Sequence, residues 1–289
     1  MIDFVINEKA GGGRTLKAKN KICKILDEKG VEYRFHPTKG VKDATKITKD
    51  LCDNGATSVV AVGGDGTVNE VLNGLNVETT AFGIIPSGSG NDFVTSIGIP
   101  TKVEKALDII LSGEAKPTDF MVCDGIRGIN IIGTGIDVEI LQRCEKSKIL
   151  KGKLKYVISF IISLFKFKFY DLKLPDKEGN LKDRSAMIIC CGNGKRFGGG
   201  ITMCPKAIVD DGKMDFIFIN RMRKVGILKA FIRLFQERIL EEKFCDFSLE
   251  EHVVAHFDHP ISIQIDGEIY DNLKFDIHIE KGALKLYRP

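Results

Sequence analysis

A run of β-forming residues, Val59 to Val62, ends abruptly in Gly63-Gly64-Asp65-Gly66-Thr67. Val68, Val71, Leu72 and Leu75 then recur at the spacing of one helix face. Glycines let a backbone approach a phosphate and turn its N–H groups toward it, and a helix start adds the positive end of a dipole. A carboxylate among them repels phosphate unless a cation lies between, so Asp65 points to a magnesium-bound nucleotide. A tight strand-to-helix turn alone would not need so many special residues in succession.

Two further loops have the same placement. Phe82–Ile85 reads as a strand and runs into Pro86-Ser87-Gly88-Ser89-Gly90-Asn91-Asp92. Taken singly, this stretch reads equally well as a loop with a helix cap. Beside the first loop it adds hydroxyls, an amide and a second carboxylate to the same sheet edge. The segment Asn7-Glu8-Lys9-Ala10-Gly11-Gly12-Gly13-Arg14 follows a first strand at Ile2–Ile6 and could hold a phosphate or a base.

In the second half, Ile261, Ile263 and Ile265 alternate, which leaves Asp266 at a strand end followed by Gly267 and Glu268. A carboxylate there could take the proton of a hydroxyl nucleophile. Asp266-Gly267 is also a two-residue hairpin signal, and Asp211-Gly212 has the same double reading. His252, His256 and His259 lie close in sequence, but two residues four apart on a strand are separated by roughly 13 Å. One ion cannot bridge that distance, so no histidine metal site is expected.

The elements that must carry these loops change character along the chain. To about residue 118, short strands alternate with glycine loops and helices, which implies a mainly parallel α/β sheet with helices on both faces. Ligands in such sheets bind at the carboxyl ends of the strands. Beyond that point strands are expected at Met187–Cys191, Met214–Asn220, His252–Phe257, Ile261–Asp266, Leu273–Glu280 and Ala283–Tyr287. Helical segments near 145–169 and 222–243 interrupt them. The expected organisation is an α/β nucleotide domain over 1–118 and a β-rich, antiparallel sandwich or barrel-like domain over 119–280.

The chain has 289 residues, 43% hydrophobic and 28% charged, which excludes a disordered or fibrous polypeptide. Its net charge is +4, yet residues 141–170 hold eight Lys/Arg against one acid, and residues 221–233 hold five and none. A generic nucleic-acid binder would be basic over a wider face, and two local basic patches beside apolar residues suit an anionic membrane surface at least as well. Leu228, Phe231, Ile232, Phe235 and Ile239 form an apolar helical stripe with Lys229, Arg233 and Arg238 elsewhere; the stripe suits either the core or a lipid surface. The longest uncharged apolar stretch, Tyr156–Phe165, is half what a spanning helix needs. The eight cysteines show no zinc-like spacing and read as reduced, buried thiols of a cytoplasmic protein. The P-loop, the dinucleotide fingerprint and the serine-nucleophile elbow are all absent.

The paired loops GGDGTVNE (Gly63–Glu70) and PSGSGNDF (Pro86–Phe93) resemble those of the diacylglycerol kinase catalytic-domain family. The likeness is to its bacterial soluble lipid kinases, related to sphingosine kinases and more distantly to NAD kinases. It extends over nearly the whole chain, with an Asp-Asp-Gly near 210 and an Asp-Gly-Glu at 266. The resemblance implies a phosphofructokinase- and NAD-kinase-like first domain that binds ATP, with a segment at about 281–289 returning to it. It implies ATP contacts from Asn7, Ala10, Gly11, Thr38, Gly64, Asp65, Gly66, Thr67, Val68, Asn69, Glu70 and Ser89, with Asn91 alongside. Asp65 and Asp92 would work near magnesium, and Glu268 would be the base with Asp266 as its partner. A structural magnesium site would lie at Asp211 with Ile208 and Lys213. Glu8 stands where the family usually has proline, and Ser89 where it often has threonine. The implied function is an ATP- and magnesium-dependent lipid kinase acting on diacylglycerol, peripherally membrane-associated, with an edge strand that could serve a homodimer. Two other functions stay open: a soluble-substrate kinase such as an NAD kinase, because GGDGT is shared, and a non-catalytic nucleotide or lipid sensor.

Overall fold

The computed structural model describes residues 1–146, 169–176 and 178–289. Strands β1 (Ile2–Ile6), β2 (Tyr33–Pro37), β3 (Ser58–Gly63) and β4 (Ala81–Pro86) pair in parallel in the order β2-β1-β3-β4. Between and after them run α1 (Arg14–Lys29), α2 (Asp43–Asp53), α3 (Asp65–Gly74), α4 (Asp92–Ser96) and α5 (Val103–Leu111). All six residues of β3 are buried, as expected for a central parallel strand covered on both faces. Helix α1 buries Thr15, Ala18, Ile22 and Leu26, one face at three- and four-residue spacing, and stops where Gly30 turns left-handed at φ 64°.

The sheet continues into the second half through β5 (Ala115–Cys123), β6 (Ile126–Gly128) and β7 (Ile131–Gly135). Helix α6 (Ile136–Lys146) follows, then β8 (Tyr170–Pro175), β9 (Leu181–Gly192) and a small hairpin of β10 (Arg196–Phe197) and β11 (Ile201–Thr202). After β12 (Met214–Asn220) come α7 (Lys224–Phe235), β13 (Cys245–Glu250), β14 (His252–Phe257), β15 (Ile261–Ile265), β16 (Glu268–Leu273) and β17 (Phe275–Tyr287). Pairing here is antiparallel throughout the β7, β8, β9, β12, β13, β15 and β16 ladders. The chain is thus an α/β unit joined to a β-rich unit by one mixed sheet.

Both faces of β9 are buried. Ile189 and Cys191 belong to one apolar core, Ile188 and Cys190 to another that packs under α7. Adjacent Cys190 and Cys191 therefore point to opposite faces, as alternation along a strand requires. Strand β17 joins the two halves. Phe275, Ile277 and Ile279 lie in the second unit's core, while Leu284 and Leu286 lie in the first, past an irregularity where Gly282 adopts φ 58°. Leu286 pairs in parallel with Phe82 of β4, so the C-terminal strand completes the sheet of the α/β unit. Strand β5 divides likewise, with Phe120 in the first core and Met121 and Cys123 in the second.

Three sequence expectations change. The helix expected over 222–243 is shorter: α7 ends at Phe235, Glu237 turns left-handed at φ 58°, and Ile239–Glu241 form a separate 3-10 turn. The strands expected at Leu273–Glu280 and Ala283–Tyr287 are one strand bent at Gly282. Strands β5 to β8, β13 and β16 and the short β10–β11 hairpin lie outside the strands expected from the sequence. The helix expected over 145–169, with most of its basic residues, falls largely outside the described residues.

Candidate functional site

Strands β1, β3 and β4 lie side by side, and the three glycine loops leave their carboxyl ends together. Contact between the first two is direct. A Cβ on Gly88 would stand 2.3 Å from the Gly64 Cα, and the Ser87 and Gly88 amides both donate to the Gly63 carbonyl, at 2.8 and 3.1 Å. The third loop is fastened to the second. A Cβ on Gly11, at φ 65°, would meet the Ser87 carbonyl at 2.2 Å, Thr15 Oγ1 lies 2.7 Å from Ser87 Oγ, and Arg14 donates to Ser89 Oγ at 3.0 Å. The glycines at 11 and 88 are therefore required by close approach. Gly88→Ala is expected to destabilise the protein by about 1–3 kcal/mol through overpacking. Urea titration and nucleotide titration of that variant should both show the loss.

Asp65 opens α3 and ties the second loop to the first. Its carboxylate accepts the Asn91 amide at 2.8 Å and the Asp92 amide at 3.0 Å. Burial, and then the charge of Asp92, push its pKa up to about 6. Asp92 is itself buried; burial raises its pKa, and it accepts the Gly199 amide at 2.8 Å from the β10–β11 hairpin. Two carboxylates held this close oppose each other's ionisation, and a divalent cation would relieve both. This donor set fits magnesium. The first-turn amides of α3 have no intrahelical acceptor, so the helix start suits an anion.

The acid pair of the second half reaches this corner. A Cβ on Gly66 would lie 3.2 Å from Glu268 Oε1, so the Glu268 carboxylate stands against the first turn of α3. Glu268 is exposed at the head of β16. Asp266 is different. It sits left-handed, at φ 52°, in the tight turn between β15 and β16, as its hairpin signal implied. Its buried carboxylate accepts the Ile129, Asn130 and Ile131 amides at 2.8, 2.8 and 3.1 Å and Asn69 Nδ2 at 3.0 Å. Burial raises its pKa against those four bonds. Asp266 is therefore a fixed joint between α3, the β6–β7 connection and the hairpin that carries Glu268.

Several expected nucleotide contacts have other partners. The Asn69 amide also donates to the Arg127 carbonyl at 3.0 Å, and Asn69 is buried between the two units. Glu70 caps α2, accepting the Ala44 amide at 3.1 Å on its carboxylate and the Thr45 hydroxyl at 2.8 Å on its carbonyl. Thr67 is buried against Gly63. Val68 is buried in the first core. The Thr38 amide donates to the Ile6 carbonyl at 2.9 Å and so sits at the same sheet edge as Asn7, whose amide donates to the Val62 carbonyl at 3.2 Å. Ala10 begins a 3-10 turn beside them.

The residues expected to hold structural magnesium lie elsewhere, near the bend in β17. Asp211 accepts the Lys213 amide at 3.0 Å, and Ile208 is exposed. Asp119 accepts the Gly212 and Gly282 amides at 2.7 and 2.6 Å, bracing the bend. Burial first, then the charge of Asp211, push Asp215 up to about 7, and its buried Oδ2 has no hydrogen bond. Among the described residues no three His, Cys, Asp or Glu side chains converge on one point.

Two features of the structure escaped the sequence reading. The Gly198-Gly199-Gly200 run that holds Asp92 was a legible signal, since all three glycines have positive φ. Asp137 gave none. It is buried at the start of α6, beside the buried side chain of Gln264. Burial pushes the Asp137 carboxyl up to about 6. A raised carboxylate pKa gives stability that is full below its unfolded value and lost as pH rises toward 6. Asp137→Asn is therefore expected to stabilise the protein by about 2–3 kcal/mol at pH 7.5. The gain should vanish by pH 4, as thermal melts at the two pH values would show.

Comparison with known proteins agrees with this layout. Residues 2–123 match the diacylglycerol kinase catalytic domain, and residues 130–288 match the YegS C-terminal NAD kinase beta sandwich-like domain. The protein named "Probable lipid kinase YegS-like" of Enterobacter sp. (strain 638) is 30% identical over 99% of this chain and 95% of its own length. "Probable lipid kinase YegS" of Salmonella typhimurium is 28% identical with the same coverage. The crystal structure of a diacylglycerol kinase from Bacillus anthracis str. Sterne superimposes with TM-score 0.76 at 22% identity, covering 100% of this chain and 96% of that one. A second structure from that organism reaches TM-score 0.79 at 23% identity, with the same coverage.

Proposed function

Since the chain belongs to the diacylglycerol kinase catalytic-domain family and is a lipid kinase, we propose that it transfers the γ-phosphoryl group of ATP to the hydroxyl of diacylglycerol, giving phosphatidic acid. The observation that carries the reading is that Glu268 Oε1 stands against Gly66, 3.2 Å from where a Cβ on that glycine would lie. It sets a proton acceptor from the β-rich unit against the phosphate-binding turn of the α/β unit.

The chemistry follows from that juxtaposition. Amides of the glycine loops and the start of α3 hold the phosphates, and Arg14, already on Ser89, adds a cation at their mouth. Asp65 and Asp92 would hold magnesium, which when bound neutralises charge on the phosphates. The acceptor hydroxyl enters between the units. Glu268 takes its proton as the oxygen attacks the terminal phosphorus, and ADP leaves in line on the far side. Asp266 positions Glu268 and keeps the two units in register. At the second proposed site, Asp211 with the carbonyls of Ile208 and Lys213 would hold a structural magnesium, which suits the charge by which Asp211 opposes ionisation of Asp119 and of Asp215. None of the described helices is long and apolar enough to cross a membrane.

The test is a turnover assay with labelled ATP, magnesium and a panel of lipid alcohols, with each product identified by mass. Diacylglycerol should be converted to phosphatidic acid with stoichiometric ADP. Conversion of NAD instead, or ATP binding without ADP release for any alcohol, would overturn the assignment.

A further inference from the structure

Helix α7 has two apolar faces, and the described residues cover only one. Ile227, Ala230 and Leu234 are buried in the core beneath it. Val225, Leu228, Ile232 and Phe235 are 82, 55, 48 and 61% exposed. At about 100° per residue these four fall within an arc of about 80°, on the side turned away from the buried set. Ten large apolar side chains are exposed among the described residues, and four of them lie on this one helix. Such a concentration marks an interaction surface.

Its charge selects the partner. Arg221 and Arg223 are exposed just ahead of the helix, Lys229 and Arg233 line one flank of the stripe, and residues 221–233 contain no acid. Lys229 and Arg233 share Glu242, which fixes both along that flank. A second copy of this chain would bring cations against cations. An anionic bilayer would receive the apolar stripe at its acyl boundary and the cations among its phosphates.

The surface is also continuous with the site. Just past the end of α7, Glu237 accepts the Thr202 hydroxyl at 2.9 Å and pairs with Arg196 at 3.4 Å. Thr202 and Arg196 are the base of the β10–β11 hairpin, whose Gly199 amide is bonded to Asp92. We propose that the exposed face of α7 is the surface on which this enzyme lies against an anionic membrane, next to the hairpin that borders its phosphate loops. The proposal rests on the lipid-kinase reading, because the acceptor of such an enzyme resides in a bilayer.

Flotation of the full chain with phosphatidylglycerol–phosphatidylcholine vesicles tests it. The double variant Leu228→Glu, Ile232→Glu should lose at least tenfold in vesicle-bound fraction and in turnover of vesicle-embedded diacylglycerol. Its turnover of a water-soluble, short-chain diacylglycerol should stay within twofold of the parent. A Phe235→Trp variant guards against a folding artefact. The chain has no other Trp, so its emission should shift to the blue with anionic vesicles and not with phosphatidylcholine alone. Parental flotation by the double variant, or an unmoved Trp emission, would overturn the proposal. So would a change from dimer to monomer in size-exclusion chromatography, which would assign the face to a second copy. Should the parent leave short-chain diacylglycerol untouched, the kinase reading fails, while flotation still decides the docking surface.

Discussion

Replacing Glu268 by Gln is expected to lower kcat by about 100- to 10,000-fold, the range for removing a positioned general base. The fold should be unaffected. Glu268 is exposed at the head of β16, where surface substitutions usually change stability by less than about 0.5 kcal/mol. The KM for ATP should also hold, because the phosphate loops keep every contact they make with one another through Gly63, Ser87, Arg14 and Asp65. A second acceptor distinguishes proton removal from mere positioning. A lipid alcohol made more acidic by fluorine beside the hydroxyl depends less on a base, so the deficit of Glu268→Gln should shrink on it. An equal deficit on both alcohols would refute Glu268 as the base and leave it a positioning residue.

The loops were legible in the sequence because their chemistry is local. Gly64, Asp65 and Gly66 announce a tight glycine-rich strand-to-helix turn within a few residues. Asp266 was only half legible for the opposite reason. Its hairpin signal is local and is realised, but the donors that surround its carboxylate come from residues 69, 129, 130 and 131, far away in the chain. The same separation hid the role of Asn69, which joins the two units at Arg127 and Asp266. Strands β5 and β17 blurred the domain boundary because each serves two cores, so neither shows a single clean alternation. Leu228, Ile232 and Phe235 were visible from spacing alone as part of one stripe, but Ile239, read with them, is buried in the separate 3-10 turn, and the orientation of the helix was not legible. Ile227, Ala230 and Leu234 form a second, less conspicuous face, and that is the one the core takes.

Asp266→Ala should behave unlike Glu268→Gln in every respect. Three buried backbone amides and one bond of Asn69 would lose their acceptor. An unsatisfied buried donor costs about 1–3 kcal/mol, so with partial water entry the loss should reach roughly 3–6 kcal/mol in urea unfolding. Asp266→Asn should recover only part of it, because an amide brings its own donor into a shell of donors. Turnover should fall as well, but through Glu268. If Asp266 acts only by placing that carboxylate, the double variant Asp266→Asn, Glu268→Gln will be no slower than Glu268→Gln alone, the non-additivity of residues that act as a unit. Fully multiplicative losses would show that Asp266 contributes to phosphoryl transfer on its own account. Full parental stability of Asp266→Ala would show that the turn does not hold the two units together.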